Sequence, residues 1–457
     1  MTVCGILLQQ TNESPGKKAL ISAKLPFHTG SLYQPFACAT DDAPRLYHLV
    51  FAHSIMRFSE SQEQLHFLDT HTKIKFSLNL FHLFFLVKTF ISFFLFSNIL
   101  ESATMEKVDE AALAHALSVV FLNMMFKIKG GIFMSLKFAI LTTGNIAGAM
   151  ARTVSQMKGE GIECYAIAAR SLERAKALAY ENGFSIAYGS YKALFEDKEV
   201  DLVYVASPHS HHYEHAKAAL EHGKHVLCEK PMTVNEEQAK ELFALAKERG
   251  LLLTEATWTR FMPFVPALQE VLKSGVIGDV KTLTCAFGVP VAKKERIAQP
   301  ELAGGALLDL GIYPLTMAAI ALGRPKEICG VCTKTELGVD AQNSISLSYE
   351  SGAVACLTSG IHAQLDNCAV LYGTRGKIVI DQFWHAEGFT VFPAEGEPKT
   401  YSFPHDFTGY EYEVRCAAKA IAEGKTECPE LPHEETLHIL HQMDTLRKAW
   451  NITYPFE

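Results

Sequence analysis

The sequence predicts two consecutive folds: a doubly wound α/β domain over residues 134–256, then an α+β domain with a predominantly antiparallel, open-faced sheet over residues 257–457. Three observations predict this. After Met134, short apolar runs alternate with helical stretches, the pattern of a parallel sheet covered on both faces. A glycine turn, "TTGNIA", joins the first of these runs to the first helix. Near Glu255 the alternation stops, and strands joined by Gly-containing hairpin turns take over.

Taken in order, "KFAIL", "IECYAIA", "DLVYVA", "KHVLCE" and "GLLLTEA" read as buried parallel strands, because continuous apolar runs suit strands without a wet face. Helices are expected over 146–157, 172–181, 211–222 and 235–249. A short helix, "PFVPALQEVLKSG", opens the second domain. Its strands are "VKTLTCAFG", "EICGVCTK", "NSISLSYESGAVACLTSGI", "CAVLYGTRGKIVID" and "GFTVFP", and amphipathic helices around 410–423 and 434–450 close the chain.

The 457 residues are 48% apolar and 20% charged, with a net charge of −8, which argues against nucleic acid or an anionic membrane as the main partner. Eleven cysteines without a repeating frame read as free thiols in a reducing, cytoplasmic setting. Cys329 and Cys332 form one C-x-x-C in strand-like context without a second pair, so neither a metal nor a redox role is expected of them.

Residues 1–133 show none of this order. The run 76–100 is long and apolar enough to span a bilayer. Lys88 stands at its centre, at a cost of about 2.5–3.5 kcal/mol. The string "KGGIFM" could be encoded as a ribosome-binding sequence just upstream of a start codon for Met134. Residues 1–133 are therefore expected to be translated leader, with a membrane-anchored extension or a disordered arm as the alternatives. No membrane contact is expected of residues 134–457.

The glycine turn is the first candidate site. A helix that starts at Asn145 or Ile146 offers unpaired N–H groups and the positive end of its dipole to a pyrophosphate. Thr143, Gly144, Asn145 and Ile146 are thus candidate cofactor-binding residues, and Ala147 is small enough for close helix–strand packing. Thr142 stands where the usual fingerprint has its first glycine, and a β-branched residue there is expected to keep an ordinary conformation. The second strand ends in Arg170 and Ser171 rather than in an acid, which suits a 2′-phosphate and favours NADP over NAD. Arg174, one turn on, could add to this. Ser207, Pro208 and His212, after "DLVYVA", and Glu229, at the end of "HVLCE", are expected along the cofactor.

Lys230 lies just past the carboxyl end of a buried strand, the rim at which open α/β sheets bind ligands. Asp309 and Tyr313 are four apart, so a helix presents both on one face. Trp258 with Arg260 could wall a polyol or sugar ring; packing at a domain hinge is the alternative. His209, His211, His212 and His215 cluster but lack the H-E-x-x-H order, and no metal is expected.

These residues lead to a resemblance. "TTGNIA", "ASPHSHHYEHAKAALEHGKHVLCEKPM", "TEATWTRFMP", "GGALLDLGIYPL", "YEYEV" and the ending "YPFE" resemble the Gfo/Idh/MocA oxidoreductases, and within them the dimeric dihydrodiol dehydrogenase group. The resemblance covers residues 134–457 and none of the first 133. It implies a Rossmann cofactor domain, with Lys230 near the reacting carbonyl or hydroxyl and Pro231 after a cis bond. Asp309 and Tyr313 would face nicotinamide and substrate. Tyr313 would be the acid/base, its pKa lowered by Lys230, and which of the two moves the proton stays open. The expected protein is an NADP-dependent oxidoreductase, forming a homodimer or higher homo-oligomer. It would act on a secondary alcohol or carbonyl of a small sugar-like or cyclic diol substrate. A nucleotide-binding regulator without turnover and an NAD-dependent glycosidase of the same fold are the other readings.

Overall fold

Residues 135–457 are described in this structure, a computed structural model; the leader reading for 1–133 and the apolar run 76–100 lie outside the described residues. The chain runs β1 (Leu136–Leu141), α1 (Asn145–Gln156), β2 (Ile162–Ala168), α2 (Leu172–Asn182), β3 (Ile186–Tyr188) and α3 (Tyr191–Glu196). It continues with β4 (Leu202–Val205), α4 (His212–Glu221), β5 (His225–Glu229), α5 (Glu236–Arg249) and β6 (Leu253–Ala256). The six strands form one sheet in the order β3-β2-β1-β4-β5-β6, all parallel. All four residues of β4 are fully buried, the reason its sequence is an unbroken apolar run. The strand order reverses between β1 and β4, so their carboxyl ends diverge and leave a crevice. β3 and α3 were not expected, because three half-buried residues at a sheet edge carry no readable period.

The second half contains α6 (Phe264–Lys273), β7 (Val280–Gly288), the short α7 (Glu295–Ala298), a π-helical turn at Leu307–Gly311 and α8 (Ile312–Leu322). Then follow β8 (Glu327–Lys334), β9 (Asp340–Ser348), β10 (Val354–Gly360), β11 (Cys368–Gly373), β12 (Gly376–Asp381), β13 (Gly388–Pro393), β14 (Lys399–Ser402), α9 (Glu411–Ala422) and α10 (His433–Ala449). The eight strands order as β14-β13-β12-β11-β7-β10-β9-β8. The sheet is antiparallel except that β10 runs parallel to β7, because the chain crosses over through α7 and α8 before returning beside β7. The stretch Pro300–Leu322 is apolar and long enough to cross a membrane, but it is 83% buried. Its last part, α8, is the core helix of this half, apolar all round because it is covered all round. Cys329 and Cys332 are an odd number of residues apart on β8 and face opposite sides of the sheet, so they cannot share a metal.

α9 does not stay with its own sheet. Val414, Cys416, Ala417 and Ala420 pack into the apolar layer built by Phe138, Tyr204 and Leu227 of the parallel sheet. Leu253 N–H donates to Thr426 O at 3.1 Å, so the segment after α9 pairs with the β6 edge. Glu413 of α9 is wholly buried, and neither of its carboxyl oxygens has a hydrogen-bond partner among the described residues. Burial, then the charge of Glu229, pushes its carboxyl well above the usual range and keeps it neutral.

The start of the π-helical turn is held by a buried acid. Asp340 Oδ2 accepts from Leu307 N at 2.7 Å and from Asn343 Nδ2 at 3.1 Å. Burial raises the Asp340 carboxyl to about 6. A folded pKa above the unfolded ~3.9 means that the protonated acid favours the fold; that contribution is full below the unfolded value and lost as pH rises through 6. Between pH 7.5 and pH 5, wild type is therefore expected to gain about 1.4 kcal/mol of unfolding free energy relative to Asp340→Asn. Urea unfolding of both proteins at the two pH values checks this; an unchanged difference refutes it.

Candidate active site

The crevice opens where β1 hands over to α1. Gly144 is the N-cap of α1, with φ −73° and ψ 179°, and no side chain caps the helix. The first-turn N–H groups are left to whatever occupies the crevice. A Cβ built on Gly144 meets no atom within 4 Å, so the space beside it belongs to the cleft. Ala147 is fully buried against the sheet.

Thr142 corrects an expectation: its φ is +90°, not an ordinary value. The turn needs that conformation, and the threonine is held in it by Thr142 Oγ1 donating to Ala206 O at 2.9 Å and Thr142 N donating to Ala168 O at 2.8 Å. Relief of strain in Thr142→Gly, roughly 1–3 kcal/mol, opposes a lost hydrogen bond of about 0.5–1.5 kcal/mol and a backbone entropy cost of about 0.5–1 kcal/mol. Thr142→Gly is therefore expected to be nearly neutral. Thr142→Val, which keeps the strain and loses the hydroxyl, is expected to lose about 1 kcal/mol or more. Thermal unfolding of the two variants distinguishes them; Gly falling below Val would contradict this balance.

At the end of β2, Arg170 is exposed and lines the cleft with Ser171 and Arg174. Ser171 is the N-cap of α2: its Oγ accepts from Arg174 N at 3.3 Å and donates to Glu173 Oε2 at 3.0 Å. Arg174 reaches back across the crevice, Nη2 lying 3.5 Å from Thr143 O. Two guanidiniums thus flank the same corner as the α1 N-terminus.

On the other wall, β4 and β5 deliver Ser207, Pro208, Glu229 and Lys230. Both ring nitrogens of His212 lie 2.7 Å from carbonyl oxygens, those of Pro231 and Ser207. The buried ring ties the two strand ends together. His215 Nδ1 lies 2.9 Å from Ser207 Oγ. These nitrogens are engaged internally, and among the described residues no three His, Cys, Asp or Glu gather into a metal-binding group. The Lys230–Pro231 bond is cis. Glu229 accepts from the Tyr204 hydroxyl and from Lys230 N.

The π-helical turn and α8 bring Asp309 and Tyr313 to this wall. Lys230 Nζ donates to Asp309 O at 2.8 Å, lies 3.4 Å from Asp309 Oδ1, and sits 4.8 Å from the centre of the Tyr313 ring. Arg296, from α7, grips the same carboxylate with Nη1 at 2.6 Å and Nη2 at 3.3 Å. His209 Nε2 lies 3.6 Å from Asp309 Oδ1, and its Nδ1 is 3.1 Å from Ala303 O. Burial alone would raise the Asp309 carboxyl, but Lys230, His209 and Arg296 hold it well below the usual range. A carboxylate so held orients cations rather than exchanging protons.

Tyr313 differs from its expectation. Burial, followed by the charges of Glu229 and Asp309, pushes its phenol well above the ordinary value. Lys230 lies over the ring face and is paired with Asp309, and the phenol stays raised beside it. The resting site therefore holds a protonated phenol beside the Lys230 side chain.

Beyond these groups the crevice of about 820 Å³ runs into a second cavity of about 450 Å³. Trp258 stacks on Tyr410 at 4.2 Å, and Phe287 stacks on Trp384 at 4.4 Å. The buried Trp258 indole N–H is directed at the Tyr313 hydroxyl, whose pKa it acts to lower against the effect of burial. Arg260 does not join it. In the 3₁₀ turn Trp258–Phe261, residues two apart point to different sides, and Arg260 Nε donates to Glu430 O at 3.3 Å, away from the cleft. Its place is the packing of the segment after α9 on the β6 edge.

This geometry meets its relatives. Residues 136–257 match the model of the oxidoreductase family with an NAD-binding Rossmann fold, and residues 265–379 match the GFO/IDH/MocA C-terminal domain. The chain belongs to the Gfo/Idh/MocA oxidoreductases. Trans-1,2-dihydrobenzene-1,2-diol dehydrogenase of Bos taurus is 34% identical over 334 residues, 70% of this chain and 99% of the relative; the Homo sapiens enzyme is 33% identical over 331 residues, 70% of this chain and 99% of the relative. A 3-ketoreductase of Actinomadura kijaniata, solved with NADP and TDP-benzene, superposes with a TM-score of 0.62 at 28% identity, over 69% of this chain and 98% of its own. An aldose–aldose oxidoreductase of Caulobacter crescentus, at 23% identity and TM-score 0.63 over 69% of this chain and 98% of its own, shares the fold. The protein is an NAD(P)-dependent Gfo/Idh/MocA enzyme acting on CH–OH groups.

Among the cleft residues that sequence reasoning missed are Arg296, His209, Tyr410, Trp384, Phe287 and Lys294. His209 was weighed only as a metal ligand. Tyr410 lay inside the "YEYEV" marker and could have been flagged there; Arg296 sits in a loop whose sequence carries no signal for its partner.

Proposed function

We propose that the protein is an NADP-dependent oxidoreductase acting on a secondary alcohol or carbonyl of a sugar-like or cyclic diol substrate. The observation that carries this is the Lys230 ammonium, fixed by Asp309 beneath the Tyr313 ring, where the nucleotide crevice meets an aromatic pocket. The α1 N-terminus, with Gly144, would hold the pyrophosphate, and Arg170 with Arg174 would take a 2′-phosphate. When bound, the nicotinamide supplies or accepts the hydride. Lys230 would polarise the substrate oxygen and Tyr313, kept protonated by its surroundings, would donate the proton in reduction. Asp309 and Arg296 position Lys230. Trp258, Tyr410, Phe287 and Trp384 would pack against the faces of a ring. The relatives named for dihydrodiol oxidation and sugar ketoreduction support this substrate range.

The test is NADPH consumption, followed by absorbance, on a panel of sugars, keto-sugars and cyclic diols with both cofactors. Turnover of at least one ring substrate, faster with NADPH than with NADH, is expected. Tight NADPH binding with no turnover across the panel would instead point to a regulator.

We infer in addition that the open face of the second sheet receives a second copy. One row across it, Cys329, Ser346, Cys356, Thr284, Val370 and Val379, carries no charge over six strands. Val331, 71% exposed, and Tyr372, 43% exposed, flank that row. Light scattering is expected to give twice the chain mass or a higher multiple; a monomer at micromolar concentration refutes the inference.

A further inference from the structure

The second cavity has an unbalanced charge. Its charged lining residues are Lys230, Lys294, Arg296 and Asp309, three cations against one carboxylate, with His385 besides. Asp309 is already shared between Lys230 and Arg296. Lys294 makes no ion pair with an acid among the described residues, and it lines both cavities where they join. The Arg296 side chain, although clamped on Asp309, stays 45% exposed, so its remaining N–H edge is open to a ligand.

The loop that carries these cations is built, not slack. Lys294 N donates to Val291 O at 2.9 Å, and Ala298 N donates to Lys294 O at 3.0 Å. Gly305 N donates to Ile297 O at 2.9 Å, and a Cβ on Gly304 would lie 2.3 Å from Ile297 O, so α7 is pressed against the start of the catalytic helix. Ile297 is fully buried and anchors the turn. The four charged residues 293–296 are all exposed, but only Lys294 and Arg296 line the cavities. The donors left over on Arg296 call for oxygen atoms, and a lysine without an acid partner calls for negative ones.

We propose that the distal pocket selects a cyclic polyol bearing an anionic group, a carboxylate or a phosphate, with Lys294 and the free edge of Arg296 binding the anion. The aromatic walls contact the ring, Lys230 and Tyr313 address the reacting carbon's oxygen, and the anion lies toward the cavity mouth. This rests on the oxidoreductase reading for the ring, while the anion site stands on the charge and geometry of the loop.

The test is calorimetric binding to the full chain saturated with NADP, using galactose and glucose, their uronates and their 6-phosphates as matched probes. At low salt, at least one anionic series is expected to bind about tenfold or more tighter than its neutral parent. High salt should erode that ratio, because the site is open to screening. The uronate and 6-phosphate arms separate a carboxylate site from a phosphate site. Lys294→Gln is expected to lower the anionic-to-neutral ratio about tenfold. Neutral rings binding as well as anionic ones overturn the proposal, as does a ratio unchanged in Lys294→Gln. A Lys294→Gln protein that weakens only NADP also overturns it, since the lysine would then serve the cofactor. Anionic binding without any turnover would remove the oxidoreductase reading of the ring and leave the anion site standing; turnover with no charge preference would do the reverse.

Discussion

Lys230→Ala is expected to lower kcat/KM about 10³–10⁴-fold, and Tyr313→Phe about 10²–10³-fold, within the usual range for a lost general acid or positioned charge. The larger loss falls on Lys230 because it has two tasks. Its ammonium is aimed by Asp309 O at 2.8 Å, and it supplies positive charge beside the Tyr313 ring at 4.8 Å. Lys230→Arg is not expected to rescue, because a planar fork cannot occupy the position of a compact ammonium between a carbonyl and a ring face. For Tyr313, the pH profile decides. Burial, with Glu229 and Asp309 adding negative charge, holds the phenol protonated well beyond its ordinary range. Carbonyl reduction, which uses the phenol, should therefore stay level across neutral and mildly alkaline pH. Alcohol oxidation, which needs a base, should climb as pH rises. Following NADPH absorbance in both directions measures this. A reductive limb that falls near neutrality in wild type and disappears in Tyr313→Phe would show that the phenol is not so held.

The same residues show how much of the molecule could be read from sequence. Lys230 and Trp258 are legible as strand-end residues, whereas Asp309 and Tyr313 offer only a spacing of four and the family resemblance, because the helix that carries them is apolar all round and shows no readable face. All four line the same crevice. The glycine turn was also legible, but the conformation of Thr142 was not. Local propensity argued against a positive φ, and the hydrogen bond from its hydroxyl to Ala206, 64 residues away, overrides that propensity. Arg296 was invisible for a similar reason. Its partner Asp309 lies 13 residues on, across a loop and a π-helical turn whose geometry no period encodes. Arg260 misled because residues adjacent in sequence to a pocket residue were assumed to share its direction, and a 3₁₀ turn does not allow that. The return of α9 to the first sheet depends on which apolar face meets which, a tertiary choice. Its helical period was readable, but its partner was not.

The proposed NADP preference makes the second large prediction. Arg170→Ala combined with Arg174→Ala is expected to weaken NADPH binding about 100-fold or more, from the loss of two charge-assisted contacts at about 1.5–3 kcal/mol each. NADH, which lacks the 2′-phosphate, should lose only a few-fold, so the preference between cofactors should collapse or reverse. The single variants need not be equal. Arg170 is free at the end of β2, whereas Arg174 is tethered to Thr143 O at 3.5 Å and also serves the α1 entry. Arg174→Ala should therefore weaken both cofactors somewhat, and Arg170→Ala chiefly NADPH. Glu173 acts in the opposite direction: its carboxylate accepts from Ser171 Oγ at 3.0 Å, close to where a 2′-phosphate would lie. Glu173→Gln should tighten NADPH more than NADH. Fluorescence titration of the four variants and wild type with both nucleotides resolves these cases. If the double variant binds NADPH and NADH with the same ratio as wild type, Arg170 and Arg174 are a solvated helix start, and the NADP assignment loses its support.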